Sequence, residues 1–296
     1  MLFIKVPATT ANIGPGFDAM GIALNLFNSV EIEKSESKSF DWNNTDVSLS
    51  EKENLIIQSL EYTLNKCEFF SGYAIKAIDM HIPVSRGLGS SAASVVLGIL
   101  CANYLMDYKL NDNQMLEIAN ELEGHPDNVA PALFGGMITS VVKDNKVYSS
   151  NIKVPELLKF MVTIPNFKLS TEHARAALPS SYSRADCVFN ISRAALLISS
   201  LVNSELDNLR VALEDKIHQS YRLPLINFGK EYIEHSQKNG SLGEFISGAG
   251  PTMISLINED EEIFINNTKN FFSDNDLVWD IKSLTLNTDG YQIMEL

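Results

Sequence analysis

The stretch that decides the fold runs from Pro83 to Leu100 and reads PVSRGLGSSAASVVLGIL. Gly87 and Gly89 lie in a short loop that leads directly into an apolar segment with helical spacing. Glycine permits a positive φ and a close approach of the backbone to a ligand, and a serine at the junction can cap the helix. The first amides of a helix have no partner within it, and the helix dipole favours negative charge. We therefore predict that this junction binds an anion such as phosphate.

Two better-known glycine loops fit this stretch poorly. A Walker loop requires Gly-Lys-Ser/Thr, and no lysine follows Gly89. A dinucleotide-binding loop of the form GxGxxA is matched by Gly87, Gly89 and Ala92, with Asp107 near the offset of a ribose-binding acid. That acid follows a helix directly and does not close a second strand, as a dinucleotide fold requires. A glycine-serine loop that only starts a helix remains an alternative at this point.

Composition argues against several classes of partner. The 296 residues are 45% hydrophobic, with a formal net charge of -14 and a pI of about 4.8, so a nucleic acid or an anionic membrane would find no basic patch. Cys67, Cys101 and Cys187 lack metal-site spacing, which indicates free thiols in a reducing compartment. The N-terminus does not resemble a signal peptide, and the longest apolar segment, Ala92 to Leu105, is too short to span a bilayer. We therefore expect a soluble, cytoplasmic protein.

Hydrophobic periodicity predicts mixed α and β structure with a division near residue 155. The two predicted domains are residues 1–155, which contain the glycine loop, and residues 156–296. A segment at 35–39, SESKS, is predicted to be a mobile loop. Strands are predicted over 2–6, 29–34, 72–82, 137–142, 160–164 and 253–257, and helices over 53–66, 113–122, 185–202 and 206–221, besides the helix after the glycine loop.

Four motifs, in order along the chain, carry a resemblance to a known family. PVSRGLGSSAA resembles the phosphate-binding loop of the GHMP superfamily, which is named for galacto-, homoserine, mevalonate and phosphomevalonate kinases. VPATTANIGPGFDAMGIAL (6–24) and GHPDNVAPALFGG (124–136) resemble the homoserine kinases within it, and SGAGPTM (247–253) resembles the superfamily's third motif. The resemblance implies a two-domain GHMP kinase fold, with an N-terminal ribosomal-S5-domain-2-like domain and a C-terminal ferredoxin-like α+β domain. It also implies ATP, Mg²⁺ and L-homoserine as ligands.

The resemblance places the nucleotide phosphates on the glycine loop and a magnesium ion beside it. Mg²⁺ prefers hard carboxylate oxygens. The implied ligands are Glu121, at the end of the predicted helix before GHPDN, and the hydroxyl of Ser90, which would also contact phosphate. Glu123 is the alternative carboxylate. The nucleotide-binding residues implied are Pro83, Val84, Ser85, Arg86, Gly87, Leu88, Gly89, Ser90, Ser91, Ala92 and Ala93.

The resemblance also implies a binding site for a zwitterionic amino acid. Asp18 would bind the ammonium group, and Arg175 and Arg222 would bind the carboxylate, for which the bidentate guanidinium is well suited. The alternative for each arginine is a surface ion pair. Asn12 would bind near the substrate hydroxyl, and His125 and Asn128 would complete that wall.

The catalytic assignment leaves one role open. Some relatives carry a lysine near the first motif and use an aspartate as base, but PATTAN has no lysine. Asp127 aligns with that aspartate, and its role is open because a loose transition state demands little from a base. Positioning of the alcohol by Asn12 and Asn128 would then suffice.

Two other functions remain as alternatives to a homoserine kinase. One is a GHMP kinase of the mevalonate or diphosphocytidyl-methylerythritol type, whose substrate has no ammonium group for Asp18 to bind. The other is a catalytically silent ligand-binding regulator on the same fold. No nucleic acid or membrane partner is expected, and a homodimer is the expected assembly.

Overall fold

The structure is a computed structural model that describes residues 1–42 and 54–296, and it contains runs of strands and runs of helices along the chain. The strands are β1 (Leu2–Ala11), β2 (Met20–Ser35), β3 (Lys38–Asp41), β4 (Gly72–Met80), β5 (Met137–Lys143), β6 (Lys146–Ile152), β7 (Lys159–Ile164), β8 (Gly243–Ile246), β9 (Met253–Ile257), β10 (Asp280–Leu284) and β11 (Gln292–Glu295). The helices are α1 (Leu55–Lys66), α2 (Ser90–Leu105), α3 (Asp112–Glu123), α4 (Pro126–Phe134), α5 (Thr171–Ala176), α6 (Arg184–Asn203), α7 (Leu209–Ala212), α8 (Gln219–Arg222), α9 (Gly229–Lys238) and α10 (Glu261–Asp274), with 3₁₀ turns at Leu206–Asn208 and Leu223–Leu225.

The larger sheet is built around the long strand β2. The strand order is β11-β1-β2-β4-β3, and β5 pairs with the start of β2 and also with β6. Pro7 lies at a register shift between β1 and β2, where a residue without an N–H can be accommodated. The sequence predicted only residues 2–6 and 29–34 as strands here, and the paired segments are longer because β1 continues past Pro7 and β2 begins at Met20.

Helix α2 is the central helix of the first core. Most of its side chains are buried, among α1, α3, α4 and β1. A Cβ on Gly98 would lie 2.0 Å from Ser59 Oγ and 2.2 Å from Ile56 O, so only glycine lets α1 pack this closely. The apolar segment after the glycine loop is therefore a core helix, and its first turn is held in place by packing on several sides.

The second sheet has the topology expected from the resemblance. Its order is β10-β7-β9-β8, with antiparallel pairing throughout. Numbered along this part of the chain, the order is 4-1-3-2 with helices after the first and third strands, which is the ferredoxin-like βαββαβ arrangement. The division at residue 155 stays a prediction. One strand that follows it, β11, belongs to the first sheet and pairs with β1.

Two predictions of local structure were wrong. Residues 206–221 do not form one helix, because the carboxylate of Asp215 accepts hydrogen bonds from the amides of Ile217, His218 and Gln219 and so starts a new helix, α8. The segment 35–39 is not only a loop, since Lys38 begins β3, which pairs parallel with β4. The first residue of the predicted helix 53–66 lies outside the described residues.

One helix in the described part of the chain is long and apolar enough to cross a membrane when judged by length and composition. It is α6, and 22% of its apolar window is buried within the structure.

Candidate active site

The glycine loop opens onto a cavity at the start of α2. Gly87 and Gly89 have φ values of 80° and 66°, and Gly89 caps α2 without a side-chain hydrogen bond. The cavity measures about 420 Å³, within the range of small-molecule sites. Trp42, Met80 and Ile82 contribute an apolar part of its wall. The site thus combines amides that lack a helical partner with an apolar surface, an arrangement suited to the phosphates and base of a nucleotide.

Not every predicted loop residue lines this cavity. Val84–Gly87 and Gly89–Ala92 do, whereas Pro83, Leu88 and Ala93 do not. Leu88 and Ala93 are core residues with 1% and 0% exposure, and the carbonyl of Leu88 accepts from the amide of Thr9 at 3.2 Å. Those two residues anchor the loop and do not line the cavity, so the structure gives no support for their predicted contact with the nucleotide.

The third motif, SGAGPTM (247–253), packs against the glycine loop. Ser247 Oγ donates to the carbonyl of Gly87 at 2.5 Å, and the amide of Thr252 donates to the carbonyl of Arg86 at 3.3 Å. A Cβ on Gly87 would lie 2.2 Å from the carbonyl oxygen of Ser247, so the close contact depends on glycine. These contacts show that the SGAGPTM motif supports the conformation of the glycine loop.

Arg86 brings a guanidinium group to the cavity. Its Nη2 donates to the carbonyl of Asn166 at 2.9 Å, and its buried Nη1 has no hydrogen-bond partner among the described residues. Burial lowers the pKa of this guanidinium. A buried donor without a partner is costly, and a bound anion would satisfy it.

The carboxylate at the loop is Glu123 and not Glu121. Glu123 lines the cavity and accepts a short hydrogen bond from Ser91 Oγ. Glu121 forms an ion pair with Lys66 at 2.6 Å, on a different surface of α3. Residues two apart in a helix point about 200° away from each other, so both cannot reach the same loop. Of the two candidate carboxylates, Glu123 therefore lies at the loop and Glu121 does not. The role of either one as a metal ligand stays a prediction.

Glu123 stands in a setting that a cation would stabilise. Its burial raises the pKa of the carboxyl group, and the hydrogen bond from Ser91 opposes that shift. Among the described residues no group of three or more His, Cys, Asp or Glu could enclose a metal ion. A single carboxylate beside a phosphate-binding loop is the kind of donor with which proteins usually hold Mg²⁺, whose other ligands are substrate phosphates and water.

A wall of opposite charges lies beside the cavity. Arg175 donates to both carboxylate oxygens of Asp18, at 2.9 and 3.1 Å, and its Nη2 is 3.0 Å from Nε2 of His125. Because a guanidinium offers no acceptor, Nε2 must accept this bond and the ring proton lies on Nδ1. The hydrogen bond with Asp18 raises the pKa of Arg175. The predicted ammonium and carboxylate ligands thus bind each other in the free protein.

Asp127 and Asn128 occupy the junction between wall and cavity. Asn128 Oδ1 accepts from Thr9 Oγ1 at 2.8 Å, and its Nδ2 donates to Asp127 Oδ1 at 3.3 Å. Asp127 is only 4% exposed. Burial, followed by the negative charge of Asp18, raises the pKa of Asp127 to about 7. This carboxyl group therefore changes its charge near neutral pH.

Asn12 connects the first motif to the third. Its Nδ2 donates to the carbonyl of Gly248 at 2.9 Å, and its Oδ1 accepts from the amide of Asp18 at 2.8 Å. Asn12 has a positive φ of 59°, which asparagine tolerates better than most residues. The side chain therefore orients Asp18, and one of its N–H groups remains for a ligand.

Arg222 lies deeper than Arg175. It is 1% exposed, and it donates to the carbonyl of Gly248 at 2.9 Å through Nη1 and to that of Ala174 at 3.4 Å through Nε. Its burial, then the positive charge of Arg175, lowers its pKa. Arg222 is therefore not a surface ion pair, since it is buried and bonds to backbone carbonyls and to Nδ1 of His218 at 3.5 Å within the site.

Three residues of the site were missed by the sequence reasoning. Phe17 lies between the guanidinium groups of Arg175 and Arg222, at 5.4 and 5.1 Å, and stacks on the ring of His218 at 5.3 Å. His218 Nε2 donates to the carbonyl of Gly14 at 2.8 Å, which fixes the turn before Phe17. Thr9 holds Asn128. The only sequence signal for Phe17 was its position next to Asp18. No sequence signal connected it to His218, because the histidine is about 200 residues away in the chain.

The phosphate loop, the carboxylate beside it and the wall of charges define a small-molecule kinase of the GHMP class. The family model described as "GHMP kinases N terminal domain" matches residues 54–136 of this chain. The prediction of a GHMP kinase fold from the four motifs is confirmed.

Comparison with whole relatives narrows the class. A homoserine kinase of Clostridium kluyveri is 41% identical over 298 residues, covering 99% of this chain and 98% of the relative. One of Clostridium novyi is 43% identical over 298 residues, covering 100% and 99%. A crystal structure of homoserine kinase from Cytophaga hutchinsonii matches with a TM-score of 0.89 at 26% identity, covering 99% of this chain and 97% of that one. The chain belongs to the homoserine kinase family.

Proposed function

We propose that this chain transfers the γ-phosphoryl group of ATP to the side-chain hydroxyl of L-homoserine, giving O-phospho-L-homoserine and ADP in threonine biosynthesis. The observation that carries the proposal is that two residues lining the cavity, Gly248 and Asn128, form hydrogen bonds with residues of the predicted amino-acid site. Gly248 lines the cavity, and its carbonyl accepts from both Asn12 and Arg222. Asn128 lines the same cavity and bonds to Asp127. A nucleotide in the cavity and an amino acid at the wall would therefore lie side by side.

The phosphates would be held by local donors, because a chain of net charge -14 does not attract anions from a distance. The first amides of α2, the hydroxyl of Ser90 and the open nitrogen of Arg86 supply these donors. Fixed donors of this kind stabilise charge on the transferred group without reorganisation.

Glu123 and the serine hydroxyls of the loop would hold Mg²⁺, since they are hard oxygen ligands on the wall of the cavity. When bound, the ion neutralises phosphate charge and orients the phosphates. Ser91 already contacts Glu123, so Ser91 or the neighbouring Ser90 would complete the protein's share of the ligands.

The amino acid would replace the internal ion pair. Its ammonium group would bind Asp18, and its carboxylate would bind Arg175, with Arg222 as a second donor. Asn12 and Asn128 would position the hydroxyl. A loose transition state needs little more than this positioning, and Asp127, with a pKa of about 7, can hold a proton at neutral pH.

A coupled ADP-release assay over a panel of alcohols tests the proposal. We expect turnover with L-homoserine to exceed that with mevalonate, L-threonine and 3-amino-1-propanol. Preference for another alcohol would contradict the assigned substrate.

The same assay tests the two arginines. The compound 3-amino-1-propanol keeps the hydroxyl and amine of homoserine but lacks its carboxylate. Loss of one charge-assisted contact costs about 2–3 kcal/mol, so Arg175→Ala and Arg222→Ala should each lower kcat/KM for homoserine by roughly 30- to 150-fold. ATP binding should change little. If both variants keep the wild-type ratio between the two alcohols, neither arginine recognises the carboxylate.

A further inference from the structure

Thr9 is a buried residue of β1 that lies between the glycine loop and Asn128. It is shielded from solvent, at 0% exposure, and its amide donates to the carbonyl of Leu88 at 3.2 Å. A Cβ on Gly89 would collide with the hydroxyl oxygen of Thr9, so this hydroxyl packs directly against the loop. Thr9 does not line the cavity. Any effect that its side chain has on a ligand must therefore pass through a neighbouring residue.

The hydroxyl of Thr9 has one hydrogen-bond partner in the part of the chain that the structure describes. It donates to Oδ1 of Asn128 at 2.8 Å. A hydroxyl carries one proton, and a buried donor that lacks an acceptor is costly. If the side-chain amide of Asn128 were turned by 180°, its nitrogen would face Thr9 and the hydroxyl proton would lose its acceptor. Thr9 therefore requires Asn128 to present its oxygen on this side.

Asp127 requires the same orientation of the amide only while its carboxyl group is charged. Nδ2 of Asn128 donates to Asp127 Oδ1 at 3.3 Å, and a turned amide would place two acceptor oxygens against each other. A protonated Asp127 can donate to the amide oxygen and is compatible with either orientation. Burial and the negative charge of Asp18 raise the pKa of Asp127 to about 7. Near neutral pH, Thr9 is therefore the neighbour that selects one orientation in both charge states.

The orientation of the amide decides what Asn128 offers to a ligand in the cavity that it lines. Its oxygen is bound to Thr9 and one N–H group is bound to Asp127, so the second N–H group remains for a ligand. An N–H group donates to one lone pair of an alcohol oxygen and leaves the other lone pair for attack on phosphorus. A turned amide exchanges its oxygen and nitrogen, so this N–H group would no longer lie where the alcohol accepts it.

We propose that Thr9 is a positioning residue for the phosphoryl acceptor, because its hydroxyl fixes the side-chain amide of Asn128 with the nitrogen available to the substrate alcohol. This inference rests on the proposed function, in which Asn128 contacts the hydroxyl group of the amino acid. The charged groups of the amino acid would be bound by Asp18 and Arg175. Loss of the Thr9 hydroxyl should therefore lower turnover more than it weakens substrate binding.

Thr9→Val and Thr9→Ser are a matched pair of variants. Valine has nearly the shape of threonine and suits a strand but lacks the hydroxyl, whereas serine keeps it. In the ADP-release assay at neutral pH, Thr9→Val should lower kcat for homoserine roughly five- to tenfold, and Thr9→Ser should stay within about twofold of wild type. KM for ATP and for homoserine should change by less than about twofold in both. A kcat of Thr9→Val close to that of the wild type would overturn the proposal.

The pH dependence of this loss separates amide orientation from a general change in the fold. At about pH 6, Asp127 is mostly protonated and can donate to the amide oxygen in Thr9→Val, so the turned amide is populated. At about pH 8.5, the charged carboxylate itself requires the N–H group. The ratio of wild-type kcat to Thr9→Val kcat should therefore be larger at the lower pH. Asp18 and Arg175, whose charges also act on Asp127, are the same in both proteins. A ratio that does not change with pH would contradict the role of Thr9.

The same substitution in an Asn128→Ala background shows whether Thr9 acts through Asn128. There, Thr9→Val should lower kcat by less than about twofold, since the amide that Thr9 orients is absent. A further loss of the size seen in the wild-type background would mean that Thr9 acts through the loop, and the proposal would fail. Thr9→Ala also removes the hydroxyl and cannot overpack the site, so it provides the same comparison if valine destabilises the fold.

Carbon-13 NMR of the aspartate carboxyl groups tests the orientation in the free protein. In Thr9→Val the amide oxygen becomes available to a protonated Asp127, so the pKa of Asp127 should rise above its wild-type value, and Thr9→Ser should retain that value. Asp127→Asn identifies the resonance. An unchanged or lower pKa in Thr9→Val would rule out the proposed orientation. This measurement needs no alcohol, so a raised pKa in a protein that does not prefer homoserine would overturn the proposed function and leave the contact between Thr9 and Asn128 as the orienting one.

Discussion

At the residue scale, the internal ion pair between Asp18 and Arg175 determines what the amino-acid site can accept. Each charge already has its partner at 2.9–3.1 Å, so a ligand with only one charge must leave one of these groups uncompensated. A zwitterion replaces both partners at once. The site should therefore discriminate against single-charge analogues more strongly than the loss of one contact with the ligand would predict.

The Asp18→Asn variant provides a test with two opposite outcomes. It removes the ligand for the ammonium group, so kcat/KM for homoserine should fall by roughly ten- to a hundredfold. It also releases Arg175, so 4-hydroxybutyrate, which has a carboxylate and no amine, should bind about threefold to tenfold more tightly. Isothermal titration calorimetry measures the second effect. Weaker binding of 4-hydroxybutyrate to the variant would show that the ion pair does not compete with the ligand.

The two glutamates at the end of α3 form a matched pair of variants. Glu123→Gln should raise the Mg²⁺ concentration for half-maximal rate and lower turnover, because a neutral amide is a weaker ligand for a hard cation. Glu121→Gln should change the Mg²⁺ concentration for half-maximal rate and the turnover by less than about threefold each, since Glu121 forms an exposed ion pair with Lys66. Initial rates over a Mg²⁺ titration compare them. The reverse order of effects would restore Glu121 as the ligand.

The raised pKa of Asp127 has a consequence for stability. The folded state holds this proton up to about pH 7, whereas the unfolded chain releases it near pH 4. Between these values the folded state binds more protons, so this carboxyl group makes stability fall as pH rises. Asp127→Asn should remove that fall. Relative to wild type, it should gain on the order of 2–4 kcal/mol between pH 4 and pH 7.5.

Urea unfolding at both pH values measures this difference. Asp144→Asn is the control, because Asp144 is an exposed turn residue whose positive φ of 53° suits asparagine equally well. If the stability difference between Asp127→Asn and wild type is the same at both pH values, the carboxyl group titrates normally.

At the scale of elements, the start of α2 depends on packing as well as on ligand binding. A side chain at Gly89 would disturb the contact between backbone amides and phosphate that the sequence predicts. The structure adds a clash, because a Cβ there would lie 1.9 Å from Thr9 Oγ1. Substitution of Gly89 should therefore weaken the fold itself.

Gly89→Ala and Gly124→Ala separate the clash from backbone strain. Both glycines have positive φ, 66° and 82°, but a Cβ on Gly124 meets nothing within 4 Å. Each variant carries strain of about 1–3 kcal/mol, and Gly89→Ala should lose roughly 1–3 kcal/mol more through overpacking. Chemical denaturation of both variants measures the difference. Equal losses would mean that Thr9 moves aside without cost.

Elements with strong local signals were predictable from the sequence, and those set by distant partners were not. Helix α2 follows from its apolar composition and from the glycine loop before it. The break between α7 and α8 depends on the carboxylate of Asp215, which is held by Asn190 from another helix. Strand β3 exists because β4 lies beside it, and its sequence looks like a charged loop.

At the scale of the whole molecule, the sequence predicted the candidate site residues that lie in recognisable motifs. It did not predict the features of the site that depend on how neighbouring elements pack. The motifs identified Asp18 and Arg175, but not that they bind each other. Spacing alone could not choose between Glu121 and Glu123, because that choice depends on which face of α3 meets α2. Phe17 and His218 come together only when distant segments pack.

The pairing of β11 with β1 places the first and last strands of the structure side by side. Leu2 and Glu295 face each other across adjacent strands, which are about 5 Å apart. A short peptide could therefore link Glu295 to Leu2 without altering either sheet. The exposed turn at Asp144 and Asn145 is a place where the backbone of such a circular chain could be opened. The architecture is therefore compatible with a circularly permuted order of the same strands and helices.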